Sequence, residues 1–550
     1  LYYLKKDFSA AARTYKEFII EYGPKQNGDG EVIGAPWKPA KIDEVVQQVY
    51  EASVRVAHCW YMQGHTRNMV VAYKWLVHNF SLLNKYLAEA NYWLAIEGLK
   101  GKEGKKKENK RKVAEELWKK VVNPSLDFGD SSFRIKYHFW VRDAEMAKYS
   151  RSAIMKAGEL YSELGEHHYA AQCFRTYLEL YPPPGPRGNE PPPPPDEMLP
   201  IARYALGREY VALEDLTQLI NTYKVYLDAH REDRFRISAL RLLAYHADIG
   251  GATDIGIEAY GTILDEYGIN DKDKNGKVIP VQHNQRLRRG RYNWNGIRKK
   301  PPKGLNLGQT RFALGYLYFK KEDWSYCAKV LHPFVTEPRL FDNKSRGKAL
   351  YMLGQSYFNL YSYDKGLASV TKLIEEHPKF EAIEEVYVFA ARGCTATGQW
   401  KKIGELHKKF VDDHSESFHR PHMDLHNTIA MLKLGNSEAA GRLKGIAGSD
   451  TYEDVKADAW YHLGEHFMSQ TPPDLDAALE NLDRSVQLYP RENSCLAAAK
   501  CHIGRKEWDK ANSMLGRTIR DFPIGDRRII SEAKKLLPNV LKEMAKQKKK

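Results

Sequence analysis

Apolar positions along this chain recur in blocks of two helices. Within each block the large apolar residues fall three and four apart, which places them on one helical face. The clearest block has Trp460, Leu463, Gly464 and Phe467, then Ala478, Leu482 and Pro490. A second has Leu350, Leu353, Gly354 and Tyr357, then Tyr363, Gly366, Val370, Leu373 and Pro378. A third has Leu314, Gly315, Tyr318, Trp324, Cys327, Leu331 and Phe334. Trp508, Ala511, Leu515 and Pro523 form the last, and Gly398, Trp400 and Phe410 mark another. Each block predicts a helix, a tight turn and a second helix. Small residues let the pair approach and large apolar residues fill the seam. A proline then stops the second helix, because it lacks an N–H and clashes with the preceding turn. Blocks repeating about every 34 residues predict an all-α helical-repeat solenoid, in which each repeat packs only on its neighbours.

The first half is more degenerate but repeats its own second helix. Tyr15, Phe18 and Tyr22 are followed by Phe174, Tyr177 and Tyr181. Tyr223, Tyr226 and His230 come next, then Tyr260, Ile263 and Tyr267. The constant three- and four-residue steps predict an aromatic stripe in the core between repeats. First-helix partners include Leu164 with Gly165, and Leu206 with Gly207 and Tyr210.

Three segments break the pattern. Pro182 to Pro200 is proline-dense and predicts a stiff spacer. Gly268 to Gly308 and Gly23 to Lys41 lack helical periodicity. These last two resemble each other: Asp29-Gly30 precedes Val32-Ile33, and Asn275-Gly276 precedes Val278-Ile279. A glycine turn followed by a β-branched pair predicts a small β-hairpin in each. The expected organisation is therefore degenerate repeats over 1–181, a spacer over 182–200 and further repeats over 201–267. An insertion over 268–308, a second array over 309–538 and a disordered basic tail over 539–550 complete it.

The Leu-Gly pairs at Leu314, Leu353 and Leu463, together with the endings Tyr181–Pro182, Glu376–Pro378, Tyr489–Pro490 and Asp521–Pro523, resemble the tetratricopeptide repeat family. The likeness is to bacterial members of envelope and complex-assembly systems. A narrower likeness is to the tetratricopeptide subunits that organise nitrite oxidoreductase into tubules in anammox bacteria. The resemblance implies a right-handed superhelix, a concave protein-binding groove, and an extracytoplasmic bacterial setting. It also implies that positions two before, two after and five after each Leu-Gly leucine face the groove. Those positions are Phe312, Tyr316 and Phe319; Tyr351, Gln355 and Phe358; and Tyr461, Glu465 and Met468. Family members that clamp a carboxylate use cations and asparagine there, which this chain lacks. An aromatic groove instead suits an apolar or extended protein segment. Coverage of these rings by neighbouring helices is the competing expectation.

Charge adds a second candidate surface. The chain carries 85 Lys+Arg against 70 Asp+Glu, for a net +15. No acid occurs from Lys274 to Lys321, a stretch holding Arg286, Arg288, Arg289, Arg291, Arg298, Lys299 and Lys300. Such a run favours an acidic partner, or is a solvated loop. Further basic clusters lie at Lys102–Lys112 and in the tail. Tyr292 and Trp294 among the arginines could stack bases, so an RNA-binding helical repeat is the alternative function. Asp271, Asp273, Asn275 and Gly276 match the start of a calcium loop, but its twelfth position is Gln282 rather than glutamate. A turn with solvated charges explains them more simply.

No P-loop, G-x-S-x-G or H-E-x-x-H pattern occurs, and no residue set calls for a cofactor. Six cysteines lie scattered without a C-x-x-C pair; Cys327, Cys394 and Cys495 fall on expected core positions. No run is long and apolar enough to predict a transmembrane helix. The chain opens at Leu1, already inside a repeat-like helix, which reads as a truncated or processed start. The sequence thus predicts a non-catalytic scaffold that binds acidic or apolar protein surfaces. It also predicts assembly with other chains or with itself.

Overall fold

The computed structural model describes residues 2–24, 44–80, 87–101, 103–122, 144–182, 196–267, 271–272, 278–279, 302–336, 343–523 and 525–547. Contacts divide the chain into two units, Leu1–Glu266 with Asn270–Lys299, and Tyr267–Ile269 with Lys300–Lys550. The architecture is the expected all-α helical repeat. In the first unit lie α1 (Phe8–Tyr22), α2 (Glu44–Met62), α3 (Thr66–Asn79), α4 (Ala88–Glu97) and α5 (Lys107–Leu117). They are followed by α6 (Ala144–Leu164), α7 (His167–Leu180), α8 (Met198–Ala212), α9 (Leu216–Ala229), α10 (Arg236–Ile249) and α11 (Thr253–Tyr267).

The second unit begins with α12 (Leu307–Lys320) and α13 (Trp324–Leu331), with one further turn at Pro333–Thr336. It continues through α14 (Asn343–Asn359), α15 (Tyr363–Glu376), α16 (Ile383–Thr397), α17 (Trp400–Asp413), α18 (Arg420–Lys433) and α19 (Ala439–Gly448). The last helices are α20 (Glu453–Met468), α21 (Leu475–Leu488), α22 (Glu492–Gly504), α23 (Trp508–Arg520) and α24 (Arg527–Gln547).

The signature residues form the seam of each pair. A Cβ on Gly464 would stand 2.6 Å from Leu482 Cγ, and one on Gly207 only 2.0 Å from the Tyr223 ring. The glycine is therefore required by the approach of the second helix, not by its own backbone. The turn inside each pair is equally regular. A residue with positive φ closes the first helix, as at Gly165, Glu214, Glu322, Tyr361, Gly398 and Gly435. The next N–H reaches back to the helix, as Asp215 does to Tyr210 O and Asp323 to Tyr318 O. This closure satisfies carbonyls that the helix end would orphan. Asp215, Asp323 and Asp474 then cap the second helix through a side-chain oxygen.

The aromatic stripe is core, as the spacing predicts, in its later copies. Tyr177, Tyr223, Tyr226 and Ile263 are fully buried. Two of the tyrosines also build the link to the next pair. The Tyr177 hydroxyl donates to Asp196 Oδ2 at 2.7 Å, and Asp196 Oδ1 accepts the Met198 N–H at 3.0 Å. Tyr226 donates to Asp233 in the same way, and Asp233 accepts the Phe235 N–H at 2.8 Å. The first copy departs from expectation: Tyr22 is exposed and Ile19 supplies the buried contact.

A buried arginine braces one pair in each unit. Arg236 binds Glu266 at 2.7 Å and donates to Leu227 O at 2.5 Å. Arg346 binds Glu376 at 2.5 Å and also donates to Phe334 O. Each cation meets the carbonyl end of the preceding helix and a carboxylate of the following one, which compensates its burial.

Residues 539–547 correct the expected disordered tail. They complete α24, where Val540 is buried beside Ala533 and Leu515. In the 268–308 insertion, β1 (Asp271–Lys272) pairs antiparallel with β2 (Val278–Ile279), so a two-residue hairpin ladder does stand at Val278. Its counterpart at Val32 lies outside the described residues. All six cysteines are buried free thiols, and burial raises the thiol of Cys327 to about 11 and that of Cys495 to about 11.

Candidate protein-binding face

The nine expected groove residues fall into three different settings. Tyr316 is exposed at 45%, whereas Phe312 lies against Phe334 and Phe319 stands edge-on to Trp324, both half-buried. In the second set the rings are taken up by the fold. Phe358 is buried, stacked on Phe389 with centroids 5.9 Å apart, so it is a core residue rather than a groove anchor. The Tyr351 hydroxyl donates to Glu385 Oε2 at 2.7 Å and accepts from Gln355 Nε2 at 2.8 Å. Burial, with that carboxylate beside it, pushes the Tyr351 phenol well above its ordinary range.

The third set forms a polar node. The Tyr461 hydroxyl donates to Glu465 Oε1 at 2.7 Å. His462 Nδ1 lies 3.3 Å from Glu465 Oε2, and Lys433 Nζ lies 3.7 Å from the same oxygen. Burial raises the Glu465 carboxyl, but His462, Tyr461 and Lys433 outweigh it and bring it down to about 2. Met468 packs with Leu482 and Ala498. Glu465 is therefore already engaged by its own neighbours.

Around this node a cationic floor emerges from residues that lie outside the expected groove positions. His426 of α18 faces Thr395 of α16, with Nδ1 3.0 Å from Oγ1. His426 is half-buried, with protein closely around it. Desolvation comes first, and the charges of His462, Arg392, His422 and Arg491 then add to it; together they lower the imidazole to about 3. Arg491 is held by Asp458 at 2.8 Å. Arg392 is exposed, faces Tyr363 and His426, and has no carboxylate partner among the described residues. Side chains of α16, α18, α20 and the start of α22 thus converge.

The array also contacts itself across several repeats. The Tyr361 hydroxyl, in the α14–α15 turn, donates to Glu492 Oε1 at 3.5 Å, and Asp526 N donates to the same oxygen at 3.2 Å. The Arg528 guanidinium lies over the Tyr363 ring at 5.8 Å. The curl brings Tyr363 near Arg392, Asp526, Arg528 and Glu492.

Arg286, Arg288, Arg289, Arg291, Arg298, Lys299 and Lys300 lie outside the described residues, as do Asp273 and Asn275 of the calcium pattern. Asp271 lies in β1. Among the described residues no group of His, Cys, Asp and Glu could hold a metal ion, and no helix is long and apolar enough to cross a membrane.

Two segments match the tetratricopeptide repeat model, residues 152–183 and 348–379. They are the α6–α7 and α14–α15 pairs, so one matched segment lies in each unit. That repeat supports a protein-interaction role of the scaffold kind. No curated protein matches the chain. Among solved structures, the chain is similar to that of Naa15/Naa10 bound to HypK-THB. That match has 13% identity, covers 90% of this chain and 68% of that one, and has a TM-score of 0.37. It is also similar to yeast Tom70, at 12% identity, covering 100% of this chain and 94% of that one, with a TM-score of 0.32. A tetratricopeptide repeat protein from Parabacteroides merdae matches at 14% identity, covering 56% of this chain and 96% of that one, with a TM-score of 0.27.

Proposed function

We propose that this chain is a non-catalytic scaffold whose second unit holds an extended, carboxylate-bearing segment of a partner protein on its inner face. One observation carries this reading: Arg392 is an exposed guanidinium with no carboxylate partner among the described residues, close to His426, whose imidazole burial and then the neighbouring charges hold neutral. A carboxylate there gains a bidentate partner that no described residue supplies. Tyr363 offers apolar ring surface beside it. Several such contacts on one rigid frame would add up through avidity. The resemblance to tubule-organising subunits favours an enzyme complex or filament as the assembly, and an extracytoplasmic bacterial setting.

The test is a native pull-down with the full chain as bait, read by mass spectrometry, beside Arg392→Glu. Reversing an exposed charge leaves the fold intact, which thermal melting checks. The reading predicts a stoichiometric protein set captured by the wild type and depleted at least tenfold by the variant. Equal capture by both would overturn it.

A further inference from the structure

One edge of the second unit carries a feature the inner face does not use. Three successive linkers between helix pairs meet there, following α15, α17 and α19. Ser417 Oγ donates to Glu384 Oε2 at 2.7 Å, and His414 lies 3.5 Å from Glu384, which joins the first turn of α16, just after the first linker, to the second linker. His422 Nε2 lies 3.4 Å from Asp454 Oδ2, which joins the first turns of α18 and α20, just after the second and third linkers. Along this edge runs a ladder of four rings. Phe418 lies 4.1 Å from His419, His419 lies 6.0 Å from His422, and His422 lies 5.2 Å from Tyr452. Both ends face solvent, Phe418 at 66% and Tyr452 at 45% exposure. An isolated exposed ring needs no explanation, but a continuous ladder with two exposed ends does.

The ladder's surroundings define what it can bind. Asp412, Asp413, Glu416, Asp450 and Glu453 are exposed beside it, and Glu384, Glu385 and Asp454 lie under it. No lysine or arginine occurs from Val411 to His419, or from Gly445 to Val455. Arg420, next in the chain, is engaged by Asp424 at 3.0 Å. Carboxylates around rings repel phosphates, so this stack does not suit a nucleic acid. They attract guanidinium groups, which also stack on aromatic faces. A chain of net +15 has gathered an acidic, aromatic edge here, and the same chain carries the acid-free run from Lys274 to Lys321 with Arg286, Arg288, Arg289 and Arg291.

We propose that this edge docks the arginine-rich run of a second copy of the chain. Each copy then offers one acidic ladder and one basic run. Such a contact is heterologous, so it propagates head to tail instead of closing into a two-fold dimer. The inference is independent of the inner-face reading, because the residues altered to test it, Phe418 and Tyr452, are not among those that surround His426.

Sedimentation velocity of the full chain at low and high salt tests it. The wild type should show a sedimentation coefficient that rises with concentration and falls back at high salt. Phe418→Ser/Tyr452→Ser should sediment as a monomer, as should Arg286→Ala/Arg288→Ala/Arg289→Ala/Arg291→Ala. A mixture of the two variants keeps one intact ladder and one intact run, and should form a dimer and nothing larger. Circular dichroism melts confirm that each variant is folded. If the serine variant melts early, Asp412→Lys/Glu416→Lys, which changes only exposed side chains, takes its place with the same expectation. A wild type that stays monomeric at every concentration overturns the proposal. So does self-association that the folded ladder variant leaves unchanged.

Discussion

The ring of Phe358 settles between Gly366 and Gly393, where added Cβ atoms would stand 3.1 and 3.0 Å from it. A position that faces the groove by repeat register turns inward here because two neighbouring glycines leave room for it. Tyr461 and Glu465 keep their place but satisfy each other. The proposed site rests instead on Arg392 and His426, and their effect is measurable. His426 titrates at about 3 in the folded chain against 6.5 for the free side chain. The unfolded chain therefore binds this proton first as pH falls. The stability held by neutral His426 is complete above 6.5 and is lost as pH falls from there toward 3. The slope is at most about 1.4 kcal/mol per pH unit. Urea unfolding of the full chain at pH 7 and pH 5 should show that loss. In His426→Asn, which keeps a polar atom toward Thr395, the pH dependence of the second unit's transition should flatten. An unchanged slope would show that His426 is not held neutral. The sequence contained no sign of this residue, because its neighbours come from three other helices and none sits at a signature position.

Helix pairs were the most legible level, because each repeats the same packing problem. The glycine at the crossing, the large residue opposite and the capping aspartate recur in register. Gly464→Ala would place a Cβ 2.6 Å from Leu482 and 3.2 Å from the Ala478 carbonyl. It should destabilise the second unit by about 1–3 kcal/mol, through overpacking. Gly441→Ala is the matched control, since nothing lies within 4 Å of its added Cβ. That change should be neutral or stabilising by up to about 1 kcal/mol. Equal effects at the two sites in thermal melts would contradict the packing account. The end of α24 was misjudged because its lysines suggest a tail. Ile529, Leu536, Leu537 and Met544 nevertheless pack against α22 and α23, and that apolar face holds the helix down to Gln547. The tyrosine-to-aspartate links at Asp196 and Asp233 were also missed, since their partners lie in linkers without periodicity.

For the whole molecule, the sequence predicts a helical-repeat scaffold, and the structure supplies that architecture. It changes where function is carried. Charge and rings meet where distant repeats curl together, and consensus positions mostly build the frame. Arg392, without a carboxylate partner among the described residues, and the exposed ends of the aromatic ladder at Phe418 and Tyr452 give the second unit two opposite chemistries. The central claim is that a partner segment occupies the inner face of that unit. Hydrogen–deuterium exchange of the full chain, alone and with its captured partner, tests it most directly. Slowed exchange should concentrate in α16, α18 and α20, with α17, α19 and α21 nearly unchanged. Protection confined to α17, α19 and α21 would place the partner on the outer face and contradict the account.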